Sequence, residues 1–286
     1  MGRFFAFTVS LLAFSGCAPQ KKAAEVRFAA TVPPLGMILR EVAKGRAEVV
    51  VLVDKGASPH TFEPTPAVVA AAHSSLGLFQ VGKGLDDWAQ KLEGPTRVEA
   101  VDLIDQGLLL RNLEEHTDEP NDPHFWMDPV LVKSIVPKLA AKLIELDPAG
   151  RSVYEANASV FAAKLERLDS VVRSLLKPVI GRPLVLIHPS MQYLAKRYGL
   201  KIAAIVEPSP GKEPTTAQVS EVLRLAKASG AKTVFTEPQL PRKDAEQIAS
   251  LGQLKLGELD PVGGVEGRDT YEKLILHNAR QLMSYL

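Results

Sequence analysis

The chain has 286 residues, 46% of them hydrophobic, which is enough apolar material for two domains of ordinary size and argues against a disordered polypeptide. Its 34 Lys and Arg nearly cancel its 33 Asp and Glu, so no bulk positive charge is available to hold a phosphate backbone by counterion release, and nucleic acid is set aside as a partner. A single cysteine excludes a disulfide framework and every paired-cysteine metal or redox motif, which leaves six histidines and the carboxylates as ligands for a tightly held metal.

Met1-Gly2-Arg3 gives a short positive start, residues 4–14 carry no charge, and Ser15-Gly16 supplies small residues before Cys17. This pattern predicts an export signal over residues 1–16. Eleven residues are too few to span a ~30 Å hydrocarbon core, for which about 20 helical residues are needed, so no permanent transmembrane helix is expected there. The position of Cys17 resembles the bacterial lipoprotein signal, in which that cysteine is lipidated and becomes the mature N-terminus. Phe14 departs from that resemblance, which usually has Leu three residues before the cysteine, and a conventional cleaved signal is the alternative. Residues 17–25 then read as a short polar tether.

From residue 26 short β-rich runs alternate with helical patterns, the signature of βα units around mostly parallel sheets. Strands are predicted at 26–30, 48–53, 76–81 and 97–101, and helices at 35–44, 66–73 and 85–92, giving an N-terminal α/β lobe over 26–148. Residues 130–146 and 149–177 hold apolar side chains at helical spacing, interrupted by Pro137 and by Asp147-Pro148. A long helix within 149–180 joining two halves is the simplest account. The alternation restarts over 181–286, with strands at 184–187, 201–206, 232–236 and 254–259 and helices at 191–198, 216–228, 242–251 and 270–285. The expected fold class is therefore α/β, with two similar lobes of mostly parallel sheet, a long linking helix and an interlobe cleft beyond the carboxyl ends of the strands.

Residues 77–84 match the phosphate-loop pattern except at the end, where Gly84 has no hydroxyl for Mg²⁺ and the intervening residues are an apolar strand. No Gly-x-Ser-x-Gly elbow and no His-Glu-x-x-His helix is present. The histidines carry more information. His60 follows a strand through a Gly/Ser/Pro loop, His188 directly ends the strand 184–187, and Asp260 directly ends the strand 254–259. These three metal-capable side chains sit at strand ends in both halves. His124 lies in Asp122-Pro123-His124-Phe125-Trp126-Met127-Asp128-Pro129, before the helix beginning near residue 130. His73 and His277 read as ordinary helix residues, and His116 belongs to an acidic loop.

Ser58-Pro59-His60-Thr61-Phe62-Glu63-Pro64, the Asp122 to Pro129 segment, Glu213-Pro214-Thr215 and Phe235-Thr236-Glu237-Pro238-Gln239 together resemble the zinc/manganese solute-binding proteins of bacterial ABC importers, over about residues 27–286. The resemblance implies two Rossmann-like lobes joined by one long rigid helix with a metal in the cleft between them, bound by His60, His124, His188 and Asp260. It also implies membrane permease subunits as partners, a monomer outside the cytoplasm held by a lipid anchor, and no catalysis. After His188 this chain has Pro-Ser-Met-Gln-Tyr where many relatives have Asp-Ala-Phe-Gly-Tyr, so that ligand rests on the strand and on Tyr193.

Chemically, three neutral imidazoles and one carboxylate suit Zn(II) in a four-coordinate site, whereas a more oxygen-rich set would favour Mn(II). Glu63, Asp128 and Glu237 are candidate acceptors for ligand imidazoles, or alternatively helix caps and partners of surface cations. A manganese-binding homologue, a secreted zinc hydrolase using an open metal position, and an adhesin-like surface lipoprotein are the other readings. The hydrolase has no evident general base, and the adhesin has no additional module.

Overall fold

The computed structural model describes residues 1–2, 26–82, 84–113, 120–207 and 213–286. The signal segment beyond Gly2, Cys17, the tether through residue 25 and the acidic loop with His116 lie outside the described residues.

The N-terminal half builds a four-stranded parallel sheet from β1 (Arg27–Ala30), β2 (Glu48–Val51), β3 (Gly77–Gln80) and β4 (Thr96–Glu99), in the order β2-β1-β3-β4. The C-terminal half repeats that order with β5 (Pro183–Leu186), β6 (Lys201–Ile205), β7 (Thr233–Thr236) and β8 (Lys255–Glu258), arranged β6-β5-β7-β8. Both halves are α/β, as the alternating sequence pattern implied, and the central strands β1, β3, β5 and β7 are almost wholly buried, while the outer strands are partly exposed. In each lobe the order reverses beside the first strand, so the loops leaving the carboxyl ends border a natural crevice.

Helices α1 (Pro33–Ala43) and α2 (Pro66–His73) belong to the first lobe, followed by α3 (Pro129–Leu146) and the 26-residue α4 (Arg151–Leu176). The second lobe adds α5 (Gln192–Tyr198), α6 (Thr216–Ser229), α7 (Arg242–Gly252) and α8 (Tyr271–Tyr285). Helix α1 lies so close to β2 that a Cβ on Gly36 would fall 2.4 Å from Val51 Cγ2. Helix α4 buries Tyr154, Phe161, Leu165, Leu168, Val172 and Leu176 along one stripe and packs against α3, α1 and α8. It therefore touches elements of both lobes. One continuous apolar core, from Phe28 through Phe161 to Tyr271 and Leu282, runs beneath the two sheets.

Two local expectations change. Pro137 does not interrupt α3, which continues through it because a buried face including Ile135, Val136, Leu139, Ala140 and Leu143 is held against α4. The helix expected at 85–92 is only a 3-10 turn, Asp87–Lys91, bounded by Gly84 and Gly94 at positive φ, with the Asp86 carboxylate turned back to accept the Val81 and Gly82 N–H groups. Among the described residues no helix is long and apolar enough to cross a membrane.

Candidate metal centre

His60 stands in a one-turn 3-10 segment, Pro59–Thr61, after β2. The loop around it is fixed from two sides. Phe62 packs on Trp88 with ring centroids 4.9 Å apart, and Thr65 accepts the Val68 N–H to cap α2. The imidazole itself is half-buried.

His124 is almost fully buried at the junction leading into α3. Asp122 Oδ1 accepts both its backbone N–H, at 2.9 Å, and its ring Nδ1–H, at 2.7 Å. One carboxylate oxygen thus sets the turn, the ring plane and the tautomer, leaving Nε2 as the electron-pair donor. His188 lies just beyond β5 and directly precedes the turn Pro189–Met191. Its Nδ1 lies 3.4 Å from Glu237 Oε1, and the same oxygen accepts from Ser190 Oγ. Glu237 is delivered by the residue position following β7, so two strand ends build this side of the site together.

The three rings converge. Ring centroids are 5.4 Å apart for His60 and His124, 4.9 Å for His60 and His188, and 5.1 Å for His124 and His188. One nitrogen from each ring lies within 4.8 Å of the others, and the His60 and His124 Nε2 atoms are 3.3 Å apart. Burial and the neighbouring imidazoles His188 and His124 hold the His60 pKa well below its ordinary range, so the ring is kept neutral and able to donate an electron pair. The cavity between them is only ≈ 10 Å³, lined also by Leu85, Trp126, Gln239 and Val262. That is space for an ion or a water molecule and excludes a sugar or peptide. The larger hollow of ≈ 730 Å³ between α3 and α4 is lined mainly by small apolar side chains and offers no such donor set.

The structure brings together His60, His124 and His188 and does not bring Asp260 into that group. Asp260 is buried behind the cavity wall formed by Pro261 and Val262, and its carboxylate is bound by Gln239, two backbone N–H groups and Arg268. Of the three candidate acceptors, Glu237 faces a ligand imidazole. Asp128 instead caps α3 through the Val130 and Leu131 N–H groups and takes a bidentate ion pair from Arg197, at 2.7 and 2.8 Å. Glu63 is exposed. Sequence reasoning missed Asp122, although its spacing two residues before His124, across a proline, is a local hydrogen-bonding pattern that marks it.

Fold and site define a two-lobed α/β protein whose halves meet at a cluster of three imidazoles. The family model described as ZnuA, zinc-uptake complex component A, periplasmic, matches residues 29–285, and the chain belongs to that family. Relatives include the high-affinity zinc uptake system protein ZnuA of Brucella abortus, 35% identical over 58% of this chain and 50% of that protein. The chain therefore spans about half the length of that relative. The manganese-binding lipoprotein MntA of Halalkalibacterium halodurans is 28% identical over 88% of this chain and 85% of its own. A crystal structure of ZnuA superposes with a TM-score of 0.79 at 29% identity, covering 91% of this chain and 98% of the other.

Proposed function

We propose that this protein captures Zn(II) outside the cytoplasm at His60, His124 and His188 and hands it to the membrane subunits of an ABC-type permease. It acts as a monomer, transforms nothing chemically, and is anchored by a lipid on Cys17. In this reading residues 26–148 and 181–286 are the lobes and 149–180 the link between them. The observation that carries the proposal is the convergence of three imidazole side chains, from loops of both lobes, on a cavity of ion size. Family membership and the names of its relatives support it.

Imidazole nitrogens suit borderline Zn(II) better than Mn(II), which prefers oxygen donors. The manganese-binding relative keeps Mn(II) as the second reading. The test is to purify the chain without chelator, determine its metal content, and titrate the stripped protein with Zn(II) and Mn(II) in competition. The expected result is a single zinc per chain and preference for Zn(II). A chain that bound neither ion would overturn the proposal, and a preference for Mn(II) would replace it with the second reading. For the anchor, Cys17→Ala should release the protein from the membrane fraction; retention of that variant would refute lipidation.

A further inference from the structure

Asp86 is a fully buried carboxylate outside the cluster of imidazoles, and among the described residues no cation pairs with it. Its Oδ2 accepts the Val81 N–H at 2.7 Å and the Thr31 hydroxyl, and its Oδ1 accepts the Gly82 N–H at 2.8 Å. Burying a carboxylate without a cation is costly, and an apolar side chain would pack there without that cost. What an apolar side chain lacks is the capacity to hold three donors from two strand ends. Val81 and Gly82 follow β3 and Thr31 follows β1, so Asp86 fastens the turn beyond one central strand to the end of the other, at the crevice edge of the sheet.

The second lobe shows why the first needs such a fastening. Thr31 N–H donates to the Phe79 carbonyl as Ile187 N–H donates to the Phe235 carbonyl, both at 2.9 Å, so Thr31 matches Ile187 and Val32 matches His188. Strand β5 is thus followed at once by a ligand imidazole, whereas β1 is followed by an apolar residue at that place, and the first lobe must bring His60 in on a loop. The Thr31 carbonyl holds the root of that loop by accepting the Val53 N–H at 2.9 Å, while its hydroxyl reaches Asp86. On either side of Asp86 stand Leu85, in the wall of the cavity beside His60, and Trp88, whose ring carries Phe62 two residues from His60. None of these contacts involves a nitrogen that would face an ion.

We infer that Asp86 is a positioning residue for His60, fixing through Thr31 and Trp88 the turn against which the His60 loop is packed. This inference rests on the proposed metal-binding function. Asparagine in place of Asp86 would set an amide N–H against one of the three donors, since a single carbonyl oxygen cannot replace both carboxylate oxygens. The turn is then released and His60 is placed less closely, while His124 and His188 keep their own carboxylates, Asp122 and Glu237.

The experiment measures zinc affinity of the metal-stripped full chain by chelator competition, with Zn(II) alone as the probe, and the melting transition of each variant confirms that it folds. Asp86→Asn should weaken zinc binding about tenfold, the lower end for loss of a group that orients a ligand. Thr31→Val should show part of that loss, and Thr31→Ser, which keeps the hydroxyl, should recover it. In the His60→Ala background Asp86→Asn should change the affinity by less than about twofold, because the ligand it places is gone. The inference is overturned if folded Asp86→Asn binds zinc as the wild type does, or if its loss persists undiminished in His60→Ala, as a general weakening of the lobe would require. Should Asp86→Asn not fold, Trp88→Leu removes the same support nearer to Phe62 and passes through the same cycle with the same two overturning results. If the wild type bound no zinc in the same titration, the proposed function would fall instead.

Discussion

The three imidazoles of the centre are held in two different ways. His124 and His188 are each 2% exposed, and each has a carboxylate within reach of Nδ1, Asp122 in one case and Glu237 in the other. His60 is half-buried on a one-turn segment, and among the described residues no hydrogen bond joins it to a carboxylate. Two of the rings are thus preset by neighbouring carboxylates, while the third is placed by packing of its loop. In the proposed function this difference assigns capture to His124 and His188 and closure to His60, the least restrained of the three.

The largest effect should come from removing a preset ligand. His124→Ala or His188→Ala is expected to lower zinc affinity by more than about 100-fold, beyond the range for loss of an orienting partner. His60→Ala should cost less, because the two preset rings still chelate the ion. Competition titration against a chelator of known affinity checks this order, and equal losses at all three positions would erase the distinction. His73→Ala, at an exposed helix end, should change little.

A step smaller is the contribution of the orienting carboxylates. Asp122→Asn should weaken binding by about 10- to 100-fold, since the Asn amide can place an N–H against Nδ1 and disturb the tautomer that exposes Nε2. Glu237→Gln should cost less, because its contact with His188 is longer, 3.4 Å against 2.7 Å, and its oxygen is shared with Ser190. A greater loss at Glu237 would reverse the ranking of the two preset ligands.

The histidines were legible to different degrees. His188 lies just beyond β5, at the carboxyl edge of a parallel sheet, whereas His60 lies beyond β2 through a loop fixed by the packing of Phe62 on Trp88, and His124 follows no strand and stood out only by its motif. Asp260 follows β8 as His188 follows β5 and still lies outside the cluster, its Oδ1 held by Gln239 and by the Val262 and Gly263 N–H groups, contacts that local periodicity does not carry. The ties across the chain were equally hidden. Arg46, Asp147 and Tyr154 form a part-buried ionic knot between residues 101 positions apart, with Arg46 Nη2 2.6 Å from Asp147 Oδ1 and Tyr154 Oη 2.7 Å from Oδ2. Nothing in either segment alone predicts that pairing. The central strands and the long helix were readable to within a few residues, since period and burial agree along them.

The contrast between ligands extends to acid. His60 has a folded-state pKa well below 6.5, for the burial and imidazole neighbours already described, while its unfolded pKa is about 6.5. In the window beneath 6.5 the unfolded chain binds a proton that the native chain refuses, so metal-free stability must fall as pH drops there. Thermal unfolding of stripped protein between about pH 7.5 and 5 should show this loss, and His60→Gln should flatten it. His277, also lowered by burial, supplies a residual slope that survives the substitution. An unaltered slope in His60→Gln would show that the ring titrates normally and is not kept neutral for metal.

The smallest expected change is in overall shape. Closure at His60 needs only a loop to move, because the lobes are already fastened to one another. Helix α4 packs against elements of both, and the Trp126 indole donates to the Pro261 carbonyl at 2.8 Å while Tyr271 Oη donates to the Trp126 carbonyl at 2.6 Å. Tyr193 Oη accepts from Leu110 N–H and donates to the Asp122 carbonyl, binding the second lobe to the turn that carries His124. A wide hinge would have to break these buried bonds, divide the shared core and bend α4, with the loss of helix hydrogen bonds that a loop hinge avoids. Zinc should therefore raise the melting temperature by linkage and change the Trp126 fluorescence, since its ring lies 5.3 Å from His124, with little change in dimensions. Solution scattering with and without zinc decides the point. A large compaction on binding would mean that α4 is not a strut, and that the preset pair is assembled by the ion instead of awaiting it.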